Sequence, residues 1–213
     1  VAVNGESAVE PGLRIDTDND IVLYNGKRIE FQRSYEYILL NKPKGVVCTA
    51  KDEKNRKTVF DIVKTNRRLF PVGRLDKSTT GLLLLTDDGD LSYKLTHPKY
   101  GIDKVYNSSL NNGLEFQDKQ KLQDGVKIGN NEYVSAKVRT LKSNRREVEV
   151  TVHEGKKNMI IRMFDVIGYK VLSLDRIKYA GLTKKKLPKS GWRSLTDAEV
   201  NRLYALTEHN RGH

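Results

Sequence analysis

The run Gly81-Leu82-Leu83-Leu84-Leu85 constrains the fold more than any other stretch of this sequence. Side chains of a strand alternate between two faces, so an unbroken apolar run needs both faces covered, and the Asp87-Asp88-Gly89 that follows reads as a closing turn. The run predicts a central strand. Tyr37-Ile38-Leu39-Leu40 reads as a second buried strand and Leu69-Phe70-Pro71-Val72 as extended chain, while Val148, Val150 and Val152 alternate with Glu149 and Thr151 as in a half-buried strand. Met159, Ile160, Met163, Phe164 and Ile167 follow helical spacing, with Asn158 as N-cap and Gly168 as the stop. A further helix is expected from 114 to 122, ending at Gly125. Thr58 with Asp61, and Thr196 with Glu199, have the spacing of capping boxes, the second opening a helix to about residue 206. Strands outnumber helices and often adjoin one another. The expectation is therefore an α+β fold, a mixed and mainly antiparallel central β-sheet with flanking helices.

The 213 residues amount to one substantial domain and a fragment. Residues 1–32 read as short strands joined by turns at Asn4-Gly5 and Asn25-Gly26, a segment too small to bury a core alone. A linker is expected over 33–36, a large domain over 37–206 and a frayed tail over 207–213. Charge divides along the same line. Lysine and arginine number 39 against 27 acidic residues, a net +12. The first 32 residues hold three bases and six acids, a balance of −3, which leaves +15 for the rest. Such an excess makes nucleic acid the first candidate partner. Lys142, Arg145 and Arg146, the pair Lys156-Lys157, and the group Lys184-Lys185-Lys186 with Lys189 and Arg193 are the candidate phosphate contacts. The longest apolar run falls far short of the roughly 20 residues of a membrane span, and no signal-peptide pattern opens the chain. One cysteine, Cys48, has no partner for an internal disulfide, so a reducing compartment, the cytoplasm, is expected.

The sequence lacks a phosphate loop, a GxGxxG turn, an HExxH pair and any cysteine pair. No cofactor and no metal are expected. Its histidines are scattered, and two of them, His209 and His213, fall in the tail. What stands apart is Gly73-Arg74-Leu75-Asp76-Lys77-Ser78-Thr79-Thr80-Gly81, which sets a carboxylate between two cations in a glycine-bounded loop just ahead of the leucine strand. Flanking cations favour the ionised carboxylate, which can serve as nucleophile or base. An aspartate in such a loop is, on its own, more often a turn or cap residue.

Four blocks in order resemble the RNA pseudouridine synthases: Asn41-Lys42-Pro43-Lys44-Gly45; Gly73-Arg74-Leu75-Asp76 with Thr79, Thr80 and the leucines; Lys104-Val105-Tyr106; and Glu154-Gly155-Lys156 leading to Arg162-Met163-Phe164. The spacing is similar to the ribosomal RNA branch of that family, which carries an S4 RNA-binding module ahead of the catalytic domain. The resemblance runs from about residue 37 to 206, and residues 1–32 look like the second half of an S4 domain. The stretches Arg176-Ile177-Lys178-Tyr179-Ala180-Gly181-Leu182 and Gly191-Trp192-Arg193-Ser194-Leu195-Thr196 look closer to enzymes of the large subunit.

The resemblance implies isomerisation of a uridine in ribosomal RNA by a monomer without cofactor or membrane attachment. The bond from C1′ to N1 breaks, the base turns over, and C5 bonds to C1′. The family nucleophile maps onto Asp76; whether it attacks the sugar, adds to the base or assists proton removal stays open. Tyr106 takes the place of the tyrosine that stacks on the everted base. Arg74, Lys77, Lys104, Lys156 and Lys157 are the expected RNA contacts near the site. One position departs from the pattern: the basic residue that pairs with the family's carboxylate falls on Ile161. Arg162 is the favoured substitute, through a rotation of its helix, with Lys77 or Lys156 and a loss of activity as alternatives. An inactive RNA-binding protein of ribosome assembly is the second reading, and a nuclease using Asp76 ranks last.

Overall fold

The computed structural model describes residues 1–10, 12–16, 19–29, 34–49, 52–129 and 132–209. The chain divides between Tyr35 and Glu36; of the linker expected over 33–36, Arg33 lies outside the described residues. The first unit is a four-stranded sheet of β1 (Ala2–Val3), β2 (Glu6–Ser7), β3 (Val22–Tyr24) and β4 (Lys27–Arg28), in the order β2-β1-β3-β4. Its hairpins turn at Asn4-Gly5 (φ 53° and 88°) and Asn25-Gly26 (φ 50° and 74°). Two successive positive φ values are what a two-residue hairpin turn demands, and Asn-Gly meets them at least cost.

The second unit is built on a nine-stranded sheet. Its strands are β5 (Tyr37–Lys42), β6 (Phe70–Pro71), β7 (Thr80–Thr86), β8 (Lys104–Leu110), then, after the separate hairpin of β9 (Val126–Lys127) and β10 (Tyr133–Val134), β11 (Lys137–Thr140), β12 (Glu147–Val152), β13 (Val171–Tyr179), β14 (Leu182–Thr183) and β15 (Trp192–Ser194). The order is β11-β12-β8-β13-β7-β5-β15, with β6 beside β7 and β14 beside β13; β7 and β13 run parallel and the other pairs antiparallel. Helices α1 (Gly89–Thr96), α2 (Phe116–Asp124), α3 (Met159–Val166) and α4 (Asp197–His209) cover both faces. This is the expected α+β arrangement.

The leucine run explains itself at the centre of this sheet. Leu83 and Leu85 pack in one core with Ile38, Leu40 and, from α3, Met163 and Phe164. Leu82 and Leu84 pack in the other with Leu39, with Leu91 and Leu95 of α1, and with Leu203 of α4. All four leucines of β7 are fully buried, each worth about 1.5–3 kcal/mol of transfer free energy. The residues after them differ from expectation. Asp88 does not close a turn; its carboxylate caps α1, accepting the Leu91 amide at 3.0 Å, and also accepts the hydroxyls of Tyr37 and Tyr204, which ties α4 to β5. Burial, with these hydrogen bonds, pushes the Tyr37 hydroxyl far above the usual phenol range.

Local signals fare unevenly. Thr196 and Glu199 form the expected reciprocal box at the start of α4, but the helix continues to His209, so Thr207 and Glu208 are helical and not a frayed tail; residues 210–213 lie outside the described residues. Thr58 and Asp61 open only a single 3₁₀ turn. Asn158 precedes α3 with a positive φ and makes no side-chain capping bond.

Candidate active site

Asp76 sits on the loop between β6 and β7, and hydrogen bonds fix that loop from several directions. The Thr79 amide donates to the Asp76 carbonyl at 3.0 Å, and the Gly45 amide donates to the Lys77 carbonyl at 2.8 Å. The Cys48 thiol donates to the Leu75 carbonyl at 3.3 Å and accepts the Leu75 amide at 3.4 Å. Leu75 and Thr79 are buried while Asp76 between them is half-buried. The loop therefore anchors through its neighbours and presents the carboxylate. Burial pushes the Cys48 thiol up, so it stays protonated in this role.

Two other walls complete a cleft. β8 supplies Tyr106, paired with Val150 of β12 and Arg176 of β13 and buried against the same core as Leu110. The turn after β12 and the start of α3 supply Glu154, Gly155, Lys156, Met159 and Ile160. Arg74, Asp76, Tyr106 and Lys156 thus line one cavity, as the motifs implied. Lys156 bridges Glu154 at 2.8 Å and Glu132 at 3.1 Å. It is partly exposed, so water screens both pairs.

Several expected residues lie elsewhere. Arg162 does not reach the cleft: its guanidinium donates to the Ile128 carbonyl and pairs with Glu132 at 3.2 Å, beside the β9–β10 hairpin. Turning α3 by the roughly 100° between successive positions would pull Met159, Ile160, Met163 and Phe164 out of the core, and all four are buried. Ile161 faces a separate groove with Lys44, Ser78 and Leu172. Lys104 is not a phosphate contact either. It is buried, its ammonium donates to the carbonyls of His153 at 2.6 Å and Ile102 at 3.2 Å, and burial first, then Arg176, pushes its pKa down to about 8. Lys77 and Lys157 are exposed but stand outside the cavity lining.

Two buried cations went unnoticed in the sequence, Lys42 on β5 and Arg176 on β13. The alternation Ile38, Leu40, Lys42 was the available signal, since it places the lysine on the core face. Among the described residues, no three His, Cys, Asp or Glu side chains gather as metal ligands, and no helix is long and apolar enough to cross a membrane.

Comparison with known proteins shows the family. Residues 36–165 match the RNA pseudouridylate synthase family. Over 216 residues the chain is 38% identical to ribosomal large subunit pseudouridine synthase B of Bacillus subtilis (strain 168), covering 99% of this chain and 88% of that protein. It is 33% identical over 208 residues to an uncharacterized RNA pseudouridine synthase of Aquifex aeolicus (strain VF5), covering 96% and 83%. A crystal structure of a pseudouridylate synthase superposes with a TM-score of 0.75 at 30% identity, covering 95% of this chain and 87% of that one. Asp76, Tyr106 and the turn that faces them all lie inside the matched residues, and the chain belongs to the RNA pseudouridylate synthase family.

Proposed function

We propose that this chain converts one uridine of large-subunit ribosomal RNA to pseudouridine, with Asp76 as the nucleophilic carboxylate and no cofactor. The observation that carries the reading is the cleft itself, where a carboxylate on a stapled loop and a buried-edge tyrosine share one cavity. The printed name of the Bacillus subtilis relative supports the choice of RNA. The reaction balances without a co-reactant: the C1′–N1 bond breaks, C1′–C5 forms, a proton leaves C5 and N1 gains one. Electron density withdraws from the sugar as the glycosidic bond loosens, and a fixed anion beside it stabilises that charge. Tyr106 offers a ring face to a base that has left its stack. Arg74 and Lys156 take phosphates, and the net charge of +12 steers the RNA.

Every residue lining the cleft comes from the second unit, and we take the protein to act as a monomer. We read the small sheet of the first unit as part of an S4-like RNA-binding module and place the enzyme in the cytoplasm, where Cys48 stays reduced. Unmodified large-subunit RNA fragments incubated with the protein, then mapped for carbodiimide adducts that resist alkali, test the reading. One new adduct at a single uridine is the expected result. Binding without an adduct would instead favour the inactive binder that uncharged Ile161 suggests, and shortened strands a nuclease.

A further inference from the structure

Residues 96–101 join the end of α1 to the chain entering β8, and both ends of this corner meet a wall of the cleft. A Cβ built on Gly73 would lie 3.5 Å from Cγ2 of Thr96, and Gly73 directly precedes Arg74 of the cleft lining. At the other end, Nδ1 of His153 lies 3.1 Å from the Gly101 carbonyl, and His153 directly precedes Glu154, which lines the cleft from the turn after β12. The corner therefore stands at the rim, between the loop that carries Asp76 and that turn.

Its inner side is fixed. Leu91, Leu95, Tyr100 and Ile102 are buried in the core that holds Leu82 and Leu84, and the Leu95 carbonyl accepts the Tyr179 hydroxyl at 3.1 Å. Its outer side is aromatic. Tyr93 and His97, four residues and about one helical turn apart, have ring centroids 5.1 Å apart, and Tyr100 meets both edge-on at 6.3 and 6.5 Å. Tyr93 is 49% exposed. The Lys99 ammonium stands 5.5 Å from the centre of the Tyr93 ring and 5.0 Å from that of Tyr100, and no carboxylate among the described residues pairs with it. The Lys99 amide donates to Nδ1 of His97 at 3.2 Å. An amide N–H can only donate, so Nδ1 is the acceptor and the proton of the neutral ring sits on Nε2.

We infer that this corner is a second RNA contact, a platform for an unpaired nucleotide that flanks the target uridine. The base stacks on the Tyr93 ring, and its phosphate takes the Lys99 ammonium and the Nε2–H of His97. The inference rests on RNA being the substrate of the cleft. An exposed ring face, a cation and a neutral N–H on one rim are the groups that a single-stranded nucleotide uses, the first for the base and the others for the phosphate. An apolar protein surface would use the ring but leave the Lys99 charge without an acceptor. Packing against His97 and Tyr100 holds the Tyr93 ring in place beforehand, so stacking orders little that is not already ordered.

Affinity for large-subunit ribosomal RNA fragments tests the inference, with intact fragments and with fragments carrying one abasic nucleotide at successive positions around the target uridine. Tyr93→Ala should weaken binding of the intact fragment about 10-fold, the size of one base stacked on an aromatic ring, and Tyr93→Phe, which keeps the ring, should restore it. At one flanking position the abasic fragment should bind the parent about 10-fold more weakly and Tyr93→Ala no more weakly still, because both changes remove the same contact. Lys99→Ala should lower the slope of affinity against salt by about one phosphate contact. Parental affinity in Tyr93→Ala overturns the inference. So does an abasic series in which no position absorbs the effect of Tyr93→Ala, since the loss would then be structural. The same fragments carrying 5-tritiated uridine keep the two readings apart: a parent that binds them and releases no tritium sinks the isomerase reading, while the affinities still decide the platform. A parent that binds none of them overturns both.

Discussion

Gly81 is the point where the sheet and the site depend on the same missing atom, and Gly81→Ala measures that dependence. A Cβ built there would lie 2.3 Å from the Arg176 carbonyl oxygen and 2.5 Å from its amide nitrogen. Both are backbone atoms, so no rotamer change relieves the clash; β7 and β13 must part by roughly 1 Å to reach ordinary van der Waals separation. Position 81 also holds φ at +112°, which L-residues rarely adopt, at a cost of about 1–3 kcal/mol. Separation weakens the Arg176 Nε bond to Leu82 and the parallel pairing at Arg176, each hydrogen bond contributing about 1 kcal/mol. The total is about 3–5 kcal/mol. For a unit spanning residues 36–213, at about 2–4 °C per kcal/mol, calorimetry should show the melting temperature fall by about 6–20 °C. At 25 °C, where the variant stays folded, the rate should also drop, because Tyr106, which lines the cleft, pairs with Arg176 of the displaced strand. A shift under 2 °C would mean that the two strands are not this close.

Arg162→Ala should leave the single-turnover rate within threefold of the parent, since its partners are Ile128 and Glu132 and not Asp76; a fall of 10²-fold would restore the helix-rotation expectation. Cys48 is buried, and burial raises its thiol pKa, so dithionitrobenzoate should react with the native protein only as fast as it unfolds, and rapid stoichiometric labelling at pH 8 would contradict the stapled loop. The Arg193 guanidinium, bonded at 2.7 Å to both oxygens of Glu199, holds that carboxyl down at about 2. A depressed carboxylate adds stability above its ordinary range near 4.5 and loses it as pH falls toward 2. Melting temperatures of Glu199→Gln should therefore fall less steeply between pH 5 and pH 2.5 than those of the parent, and equal slopes would show that the pair adds nothing.

The sequence made parts of this architecture legible because single residues carried the whole signal. Leucines at consecutive positions 82–85 leave no polar face, so a strand covered on both sides was the one arrangement available. Asn4-Gly5 and Asn25-Gly26 specify their hairpins through positive φ, a local property. Asp76 and Tyr106 were recognised by motif, and strand pairing brings their blocks together. What stayed hidden depends on the third dimension. The rotation of α3 is set by which side chains its neighbours bury, so Arg162 and Ile161 could not be placed from adjacency in the chain. Lys104 shares a face with Tyr106 and reads like an RNA contact, yet the turn after β12 lies close to it; a Cβ built on Gly155 would lie 3.9 Å from its Cε. Asp87-Asp88-Gly89 has the composition of a turn, and only the amide of Leu91 turns Asp88 into a cap. Lys42 stands in the first motif, and only its alternation with Ile38 and Leu40 signals that its ammonium is buried.

Tritium release by Asp76→Asn tests the central claim most directly. Asparagine keeps the size and polarity of the side chain and removes the charge, and none of the hydrogen bonds that hold the loop uses the carboxylate. The parent should release tritium from 5-tritiated uridine in large-subunit RNA at one site. The variant should bind the same RNA equally well and release none above background. Release at the parental rate would show that the Asp76 carboxylate does not perform the reaction.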